Sequence, residues 1–180
     1  SVSLAVADAD AEELLRKLPL FPKMESVLLT GEVPTLQTLQ QLQQQFPQVL
    51  FLWKMQLLGR DLETDMEYLD LSGAALTDTA ELEMLLPMCP RLKTVRLDDS
   101  GLQEAACISL AKQFPDIQFV FDVTIGEHTL RTDATEIDIS NTPMESTEAI
   151  EGLLPCFHDL QKVVMCNCGI SSEEMDALNQ

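Results

Sequence analysis

The sequence predicts an α/β fold built as a right-handed solenoid, with a parallel concave sheet and helices on the convex side. Three observations lead there. The 180-residue chain repeats itself at an offset of 68 residues. Each period carries short cores in which alternate residues are apolar, the pattern of a strand with one buried face. Between these cores lie segments with apolar residues at i, i+3 and i+4, the pattern of an amphipathic helix. A fixed period of this kind means units that bury their apolar faces only against their neighbours.

The offset is read directly from the residues. Gln45-Phe46-Pro47 and the apolar run to Trp53 return as Gln113-Phe114-Pro115 and the run to Phe121. Thr64-Asp65 returns as Thr132-Asp133, and Leu69-Asp70-Leu71-Ser72 returns as Ile137-Asp138-Ile139-Ser140. Leu85-Leu86-Pro87 returns as Leu153-Leu154-Pro155, while Leu18-Pro19 matches Leu86-Pro87 going backwards. Val2 and Leu4 align with Leu69 and Leu71 at nearly the same offset, so the first strand is expected there.

The elements follow in order. Glu12 to Leu18 opens the helical series, and Met24, Val27 and Leu29 mark a strand that degrades as a motif at Glu32. Leu36 to Gln45 and Gln103 to Gln113 are matching helices, with Ser172 to Asn179 as a third copy. Thr79 to Met88 reads as a helix on Leu82, Leu85 and Leu86, stopped by Pro87 and Pro90; Glu148 to Leu154 is its copy before Pro155. The cores at Leu69 to Leu71, Val95 to Leu97, Ile137 to Ile139 and Val163 to Met165 are expected as parallel neighbours in one sheet. The third strand differs. Ile117, Phe119, Phe121, Val123 and Ile125 alternate over nine residues, and Gly126-Glu127 then reads as a hairpin turn, as does Gly59-Arg60-Asp61 earlier. A projecting hairpin is therefore expected once per period.

Leu92-x-x-Val95-x-Leu97-x-x-Ser100-x-Leu102 and Leu160-x-x-Val163-x-Met165-x-x-Cys168-x-Ile170 fit the pattern L-x-x-L-x-L-x-x-N/C-x-L. Met66, Leu69, Leu71, Ala74 and Leu76 fit it with a small residue in the N/C slot, as do Ala134, Ile137, Ile139, Thr142 and Met144. In this the chain resembles the leucine-rich repeat family over essentially its whole length. Phe114-Pro115-Asp116 and Thr132-Asp133-Ala134-Thr135 bring it close to the irregular leucine-rich repeat proteins of Gram-positive, often gut-dwelling, bacteria. The resemblance implies a leucine-rich-repeat-like solenoid and an exported or cell-surface location.

Composition bounds the function. Residues 1–180 fit a single solenoid domain, and the repeat is expected to be a fragment of a longer array, because both ends fall inside a period. The formal net charge is −19, from 30 acidic and 11 basic residues, with no basic cluster. Nucleic acid is excluded as a partner on that ground, and an anionic membrane surface is disfavoured. No run of about 18 apolar residues provides a membrane span, and no signal-peptide pattern opens the chain. A basic protein or peptide would be steered favourably, although such acidity also serves solubility alone.

Catalytic and metal chemistry find little support. Cys89, Cys107, Cys156, Cys166 and Cys168 have no disulfide framework spacing and are read as free thiols, Cys168 buried at a turn and Cys166 outward. Free thiols favour the cytoplasm, against the location the resemblance implies. His128 and His158 are isolated, and there is no nucleophile elbow or phosphate loop. Asp61, Glu63 and Asp65 approximate a calcium loop without its glycine and terminal glutamate. Asp98-Asp99 is the candidate acid pair, an arrangement that chance supplies readily in so acidic a chain. No cofactor is implied.

The outward strand positions remain. They comprise Leu28, Asp70, Arg96, Asp138 and Val164, with Tyr68, Asp98 and Glu136 one step along; the third strands add Leu50, Leu52, Gln118, Val120 and Asp122. The expected function is a non-catalytic protein- or peptide-binding scaffold, its site centred on Tyr68, Asp70, Arg96, Asp98, Glu136 and Asp138, with Arg96 between Asp70 and Asp138. The alternatives are a structural spacer in a surface protein and an acid-pair hydrolase.

Overall fold

Short strands with one inward side chain each set the architecture. The computed structural model describes residues 2–7, 11–32, 34–57, 60–171 and 173–174. The protein is a mixed α/β chain of short helices and small parallel sheets, which divides into two compact units, Ser1–Glu67 with Ala80–Leu92, and Tyr68–Thr79 with Lys93–Gln180. No helix among the described residues is long and apolar enough to cross a membrane.

In the first unit, β1 (Val2–Ala7), β2 (Met24–Thr30) and β3 (Leu50–Leu52) form a parallel sheet in that order. Val27 and Phe51, directly paired across it, are both fully buried. Helices α1 (Ala11–Lys17), α2 (Leu36–Gln45) and α3 (Ala80–Leu85) belong to the same unit. Thr35 caps α2 by accepting the Thr38 N–H. Leu39 and Leu42, one helical turn apart, bury its inner face against the cluster that holds Val27, Phe51 and Trp53. An antiparallel hairpin, β4 (Lys54–Leu57) with β5 (Arg60–Glu63), follows β3; the expected turn at Leu58 and Gly59 lies outside the described residues.

The second unit repeats the scheme. Strands β6 (Tyr68–Asp70), β7 (Thr94–Arg96) and β8 (Gln118–Val120) form a parallel sheet, with α4 (Glu104–Gln113) between β7 and β8. The hairpin β9 (Asp122–Ile125) and β10 (His128–Arg131) comes next, then β11 (Glu136–Asp138), α5 (Glu148–Glu151) and β12 (Lys162–Val164), the last two strands paired parallel. The capping box Ser171-x-x-Glu174 opens a further helical segment, with the Ser171 N–H bonding Glu174 at 2.9 Å. The rest of the expected helix from Ser172 to Asn179 lies outside the described residues.

Three sequence expectations change. The four cores do not share one sheet: β6 and β7 pair with β8, whereas among the described residues β11 and β12 pair only with each other. The third strand is not continuous either, because the chain leaves the parallel ladder at Phe121 and folds back as the hairpin before β11 can begin. That bend breaks the alternation as well. Val120, expected outward, is buried beside the buried Phe121. The third change is one of register. Leu4 pairs with Val27 as Leu69 pairs with Val95 and Ile137 with Val163, so Leu4, not Val2, is the counterpart of Leu69.

Two local devices recur with the period. Two residues beyond each core the backbone enters the left-handed region, at Gly31 (φ 76°), Gly73 (67°), Asp99 (49°), Asn141 (64°) and Asn167 (59°). These are residue types that tolerate it, since a Cβ there crowds the following carbonyl in most others. At each third-strand bend a buried threonine takes up backbone groups that no ladder receives. Thr132 Oγ1 donates to the Phe119 carbonyl at 2.6 Å and accepts the Phe121 N–H at 3.0 Å. Thr64 Oγ1 does the same with the Phe51 carbonyl at 3.3 Å and the Trp53 N–H at 3.1 Å.

Both devices are testable by denaturant unfolding. A Cβ at Gly73 would meet nothing within 4 Å, so Gly73→Ala isolates the backbone strain and should cost about 1 kcal/mol, with Gly73→Asn nearly neutral. At Gly101 (φ 91°) a Cβ would lie 2.7 Å from the Leu76 carbonyl oxygen, so Gly101→Ala should cost more. Thr132→Val strands the Phe121 N–H and should cost about 1–3 kcal/mol. Thr142 is a buried threonine whose Oγ1 has no hydrogen-bond partner. There the same change should stabilise by about 1 kcal/mol.

Candidate functional site

A three-residue strand that buries its middle residue must turn the other two outward. Leu69 and Val95 point into the core, so Tyr68 and Asp70 on β6 and Thr94 and Arg96 on β7 face out, with Tyr68 opposite Thr94 and Asp70 opposite Arg96. Tyr68, the chain's one tyrosine, is 50% exposed. Arg96 donates to the Tyr68 side chain and, through Nε, to the Asp98 carboxylate.

Asp98 is the hinge of this group. Its second oxygen accepts from Nη1 of Arg131, which β10 delivers through the hairpin. Arg131 also bonds Asp133 through Nε at 3.2 Å and lies 3.6 Å from Asp122. The side chain of Asp98 is only 19% exposed between the two guanidinium groups. Partial burial pushes its carboxyl up, but the hydrogen bonds and charges of Arg96 and Arg131 outweigh this and hold it below the usual carboxylate range. Arg96, Asp98 and Arg131, with Ser100, Glu104 and Asp122, line an open groove of about 390 Å³. Isolated exposed ion pairs contribute at most about 1 kcal/mol; the network's main effect is to orient Arg96 and Tyr68.

The other candidates fall elsewhere. Asp70 Oδ1 accepts the Ser72 N–H at 2.9 Å, and Asp138 Oδ1 accepts the Ser140 N–H at 2.9 Å. Each aspartate thus closes the turn after its own strand. Hydrogen bonds from Ser140, side chain first and backbone second, lower the Asp138 pKa. Glu136 is ion-paired with Lys162 on the neighbouring strand, and Asp138 feels His128 and Lys162. The six residues therefore form two groups, Tyr68, Asp70, Arg96 and Asp98 on one sheet and Glu136 and Asp138 on another. Arg96, expected between Asp70 and Asp138, is cross-strand neighbour to Asp70 but forms its ion pair with Asp98 on its own chain segment. Arg131 was missed. Its signal was legible, because Arg131-x-Asp133 repeats the two-residue spacing of Arg96-x-Asp98.

The remaining chemistry is structural. Asp99 supplies a left-handed turn position beside Asp98. Cys168 is buried and its thiol donates to the Ile139 carbonyl at 3.2 Å, while Cys166 is exposed. Burial pushes the thiols of Cys89 and Cys107 up to about 12 and about 11, so both stay protonated. Glu63, from the approximate calcium loop, is ion-paired with Lys54. No group of three His, Cys, Asp or Glu side chains converges as metal ligands among the described residues. The hairpin tip Gly126–His128 faces 140–143 across a second open groove of about 580 Å³.

The Asp98 network has a defined pH signature. A carboxylate with a lowered folded-state pKa contributes stability above its unfolded value near 3.9, and that contribution is lost as pH falls through the folded value. Asp98→Asn should therefore be less stable than the parent at pH 7, with the gap closing below about pH 4. A gap independent of pH, measured by urea unfolding at both values, would show that the charge of Asp98 contributes nothing.

No protein-family model matches this chain, and no curated protein or solved structure matches it at a significant level.

Proposed function

We propose that the chain is a leucine-rich-repeat-like right-handed solenoid. On this reading it is a non-catalytic scaffold that binds a protein or peptide. The observation that supports the function is the exposed Tyr68 held beside Arg96 on β6 and β7. Tyrosine and arginine are among the residue types enriched at the few positions that carry most of the energy in protein interfaces. Asp70 ends β6 and the exposed Asp122 borders the groove beside Arg96, and this acidity suits a basic extended segment. An acid-pair hydrolase needs one carboxyl to keep its proton near neutral pH. Asp98 is held the other way, so it does not supply the acid of such a pair.

The test is titration with a lysine- and arginine-rich extended peptide, followed by fluorescence anisotropy and by amide resonances. Binding should shift resonances at Tyr68, Asp70, Arg96 and Asp98 and weaken steeply with added salt. Tyr68→Ala should weaken it roughly tenfold or more. Asp70→Asn with Asp138→Asn keeps both turn-closing oxygens, so it removes charge without removing the turns. Unchanged affinity in Tyr68→Ala and in that double variant would place the ligand elsewhere, and no binding at low salt would reject the basic-peptide class.

A further inference from the structure

The same turn occurs three times. Leu18–Leu20, Leu86–Met88 and Leu154–Cys156 each form a single 3-10 turn around a proline, closed by the next residue's N–H on the first leucine's carbonyl at 2.9, 3.1 and 3.0 Å. In the first unit the residue that ends its turn, Met88, is buried in one apolar cluster with Leu39 and Leu42 of α2. The 68-residue counterparts of Leu39 and Met88 are Cys107 and Cys156. Two thiols thus stand where the earlier period has two long apolar side chains. As packing alone, that exchange gives up buried apolar volume.

The second unit keeps the two thiols together. Helix α4, the counterpart of α2, packs on the turn Leu154–Cys156. Cys107 is buried with Leu110 and Ala111 on the inner face of α4, and Cys156 is the turn's buried residue. They are 3% and 0% exposed, and both are free thiols. The pair is close enough for a charge on Cys156 to be felt at Cys107, and Lys112, on the same helix, is felt at Cys156. The apolar bulk has moved one residue along: the buried Phe157 follows Cys156, whereas Cys89 follows Met88.

From this placement we infer that Cys107 and Cys156 are a dithiol pair that a low-molecular-weight disulfide oxidises to an intramolecular cross-link, pinning α4 to the turn Leu154–Cys156. The geometry a disulfide needs, Cα atoms within about 7 Å, is that of a helix and a turn packed through short side chains. The chemistry is a double exchange. Burial raises both thiols, but the ammonium of Lys112 opposes this at Cys156, whereas Glu104 adds to it at Cys107. Cys156 therefore attacks first, as thiolate, on one sulfur of the small disulfide and expels one small thiolate. Cys107 then attacks the Cys156 sulfur of the mixed disulfide and expels the other. The two thiol protons end on the two leaving thiolates, so the protein loses two hydrogens and the small disulfide is reduced to two thiols. Because both side chains are buried, exchange waits for the turn to open from α4 and is slow in the folded chain. The pair is separate from the outward Tyr68 and depends on no ligand there.

The experiment oxidises the whole chain with glutathione disulfide in dilute urea, alkylates the remaining thiols and maps the peptides by mass spectrometry. The expected product links Cys107 to Cys156, is reversed by dithiothreitol, and unfolds at a urea midpoint about 1 M or more above that of the reduced chain, because the closed loop restricts the unfolded state. Cys107→Leu with Cys156→Met restores the pair of the earlier period and should show no gain on oxidation. Cys156→Ser gives the same reading should that double variant fail to fold. Linkage of Cys107 or Cys156 to any other cysteine overturns the proposal, as does oxidation confined to the exposed Cys166. A midpoint that falls on cross-linking, or a gain that survives in the variants, overturns it equally.

Discussion

A buried strand that bends must find new partners for the backbone groups its ladder no longer takes, and in this chain the bend at Phe121 depends on one hydroxyl. Thr132 Oγ1 receives the Phe121 N–H and donates to the Phe119 carbonyl, so the bend can be made inside the core without an unpaired polar group. Much else follows from it. The parallel ladder ends at β8, the hairpin β9–β10 forms, and Arg131 is carried to the carboxylate of Asp98. Ile125 and Leu130 are carried by the same hairpin to the apolar cluster around Ile139. Thr64 makes the equivalent bonds one period earlier, so the bend is part of the repeating unit.

The candidate site is a by-product of that geometry. Without the hairpin, Asp98 would meet only Arg96; with it, one carboxylate holds two guanidinium groups, and Arg96 is held beside Tyr68. The surrounding acids are less available than their number implies. Asp70 and Asp138 close turns, Asp99 occupies a left-handed position, and Glu136 pairs with Lys162. Of the 30 acidic residues, Asp70 and Asp138 thus do local backbone work.

Three turns of like backbone lie in unlike surroundings. Leu39 and Leu42 of α2 share an apolar cluster with Val27, Phe51 and Met88, and α4 packs on the turn Leu154–Cys156. Leu20 and Phe21 have the backbone of their counterparts but are 72% and 46% exposed. Burial in such a chain is a property of neighbours, which is why identical local sequence logic ends in such different exposure.

The sequence by itself determined the elements. Period-two and period-3.6 patterns located the strands and helices, because each must bury one face wherever it packs, and helices Leu36–Gln45 and Glu104–Gln113 agree with that reading to within a residue. The hairpin was legible in Gly126-Glu127, and the burial of Cys168 in the turn slot of its motif. Tertiary structure alone decided how the strands are grouped, that Leu4 stands in the place of Leu69, that Val120 is buried, and that Arg131 reaches Asp98. The physical reason is range. Periodicity reports which face of a segment is apolar, whereas ladder partners and ion pairs depend on where a bend sends the chain, and that is set by a bond between residues 11 to 13 apart.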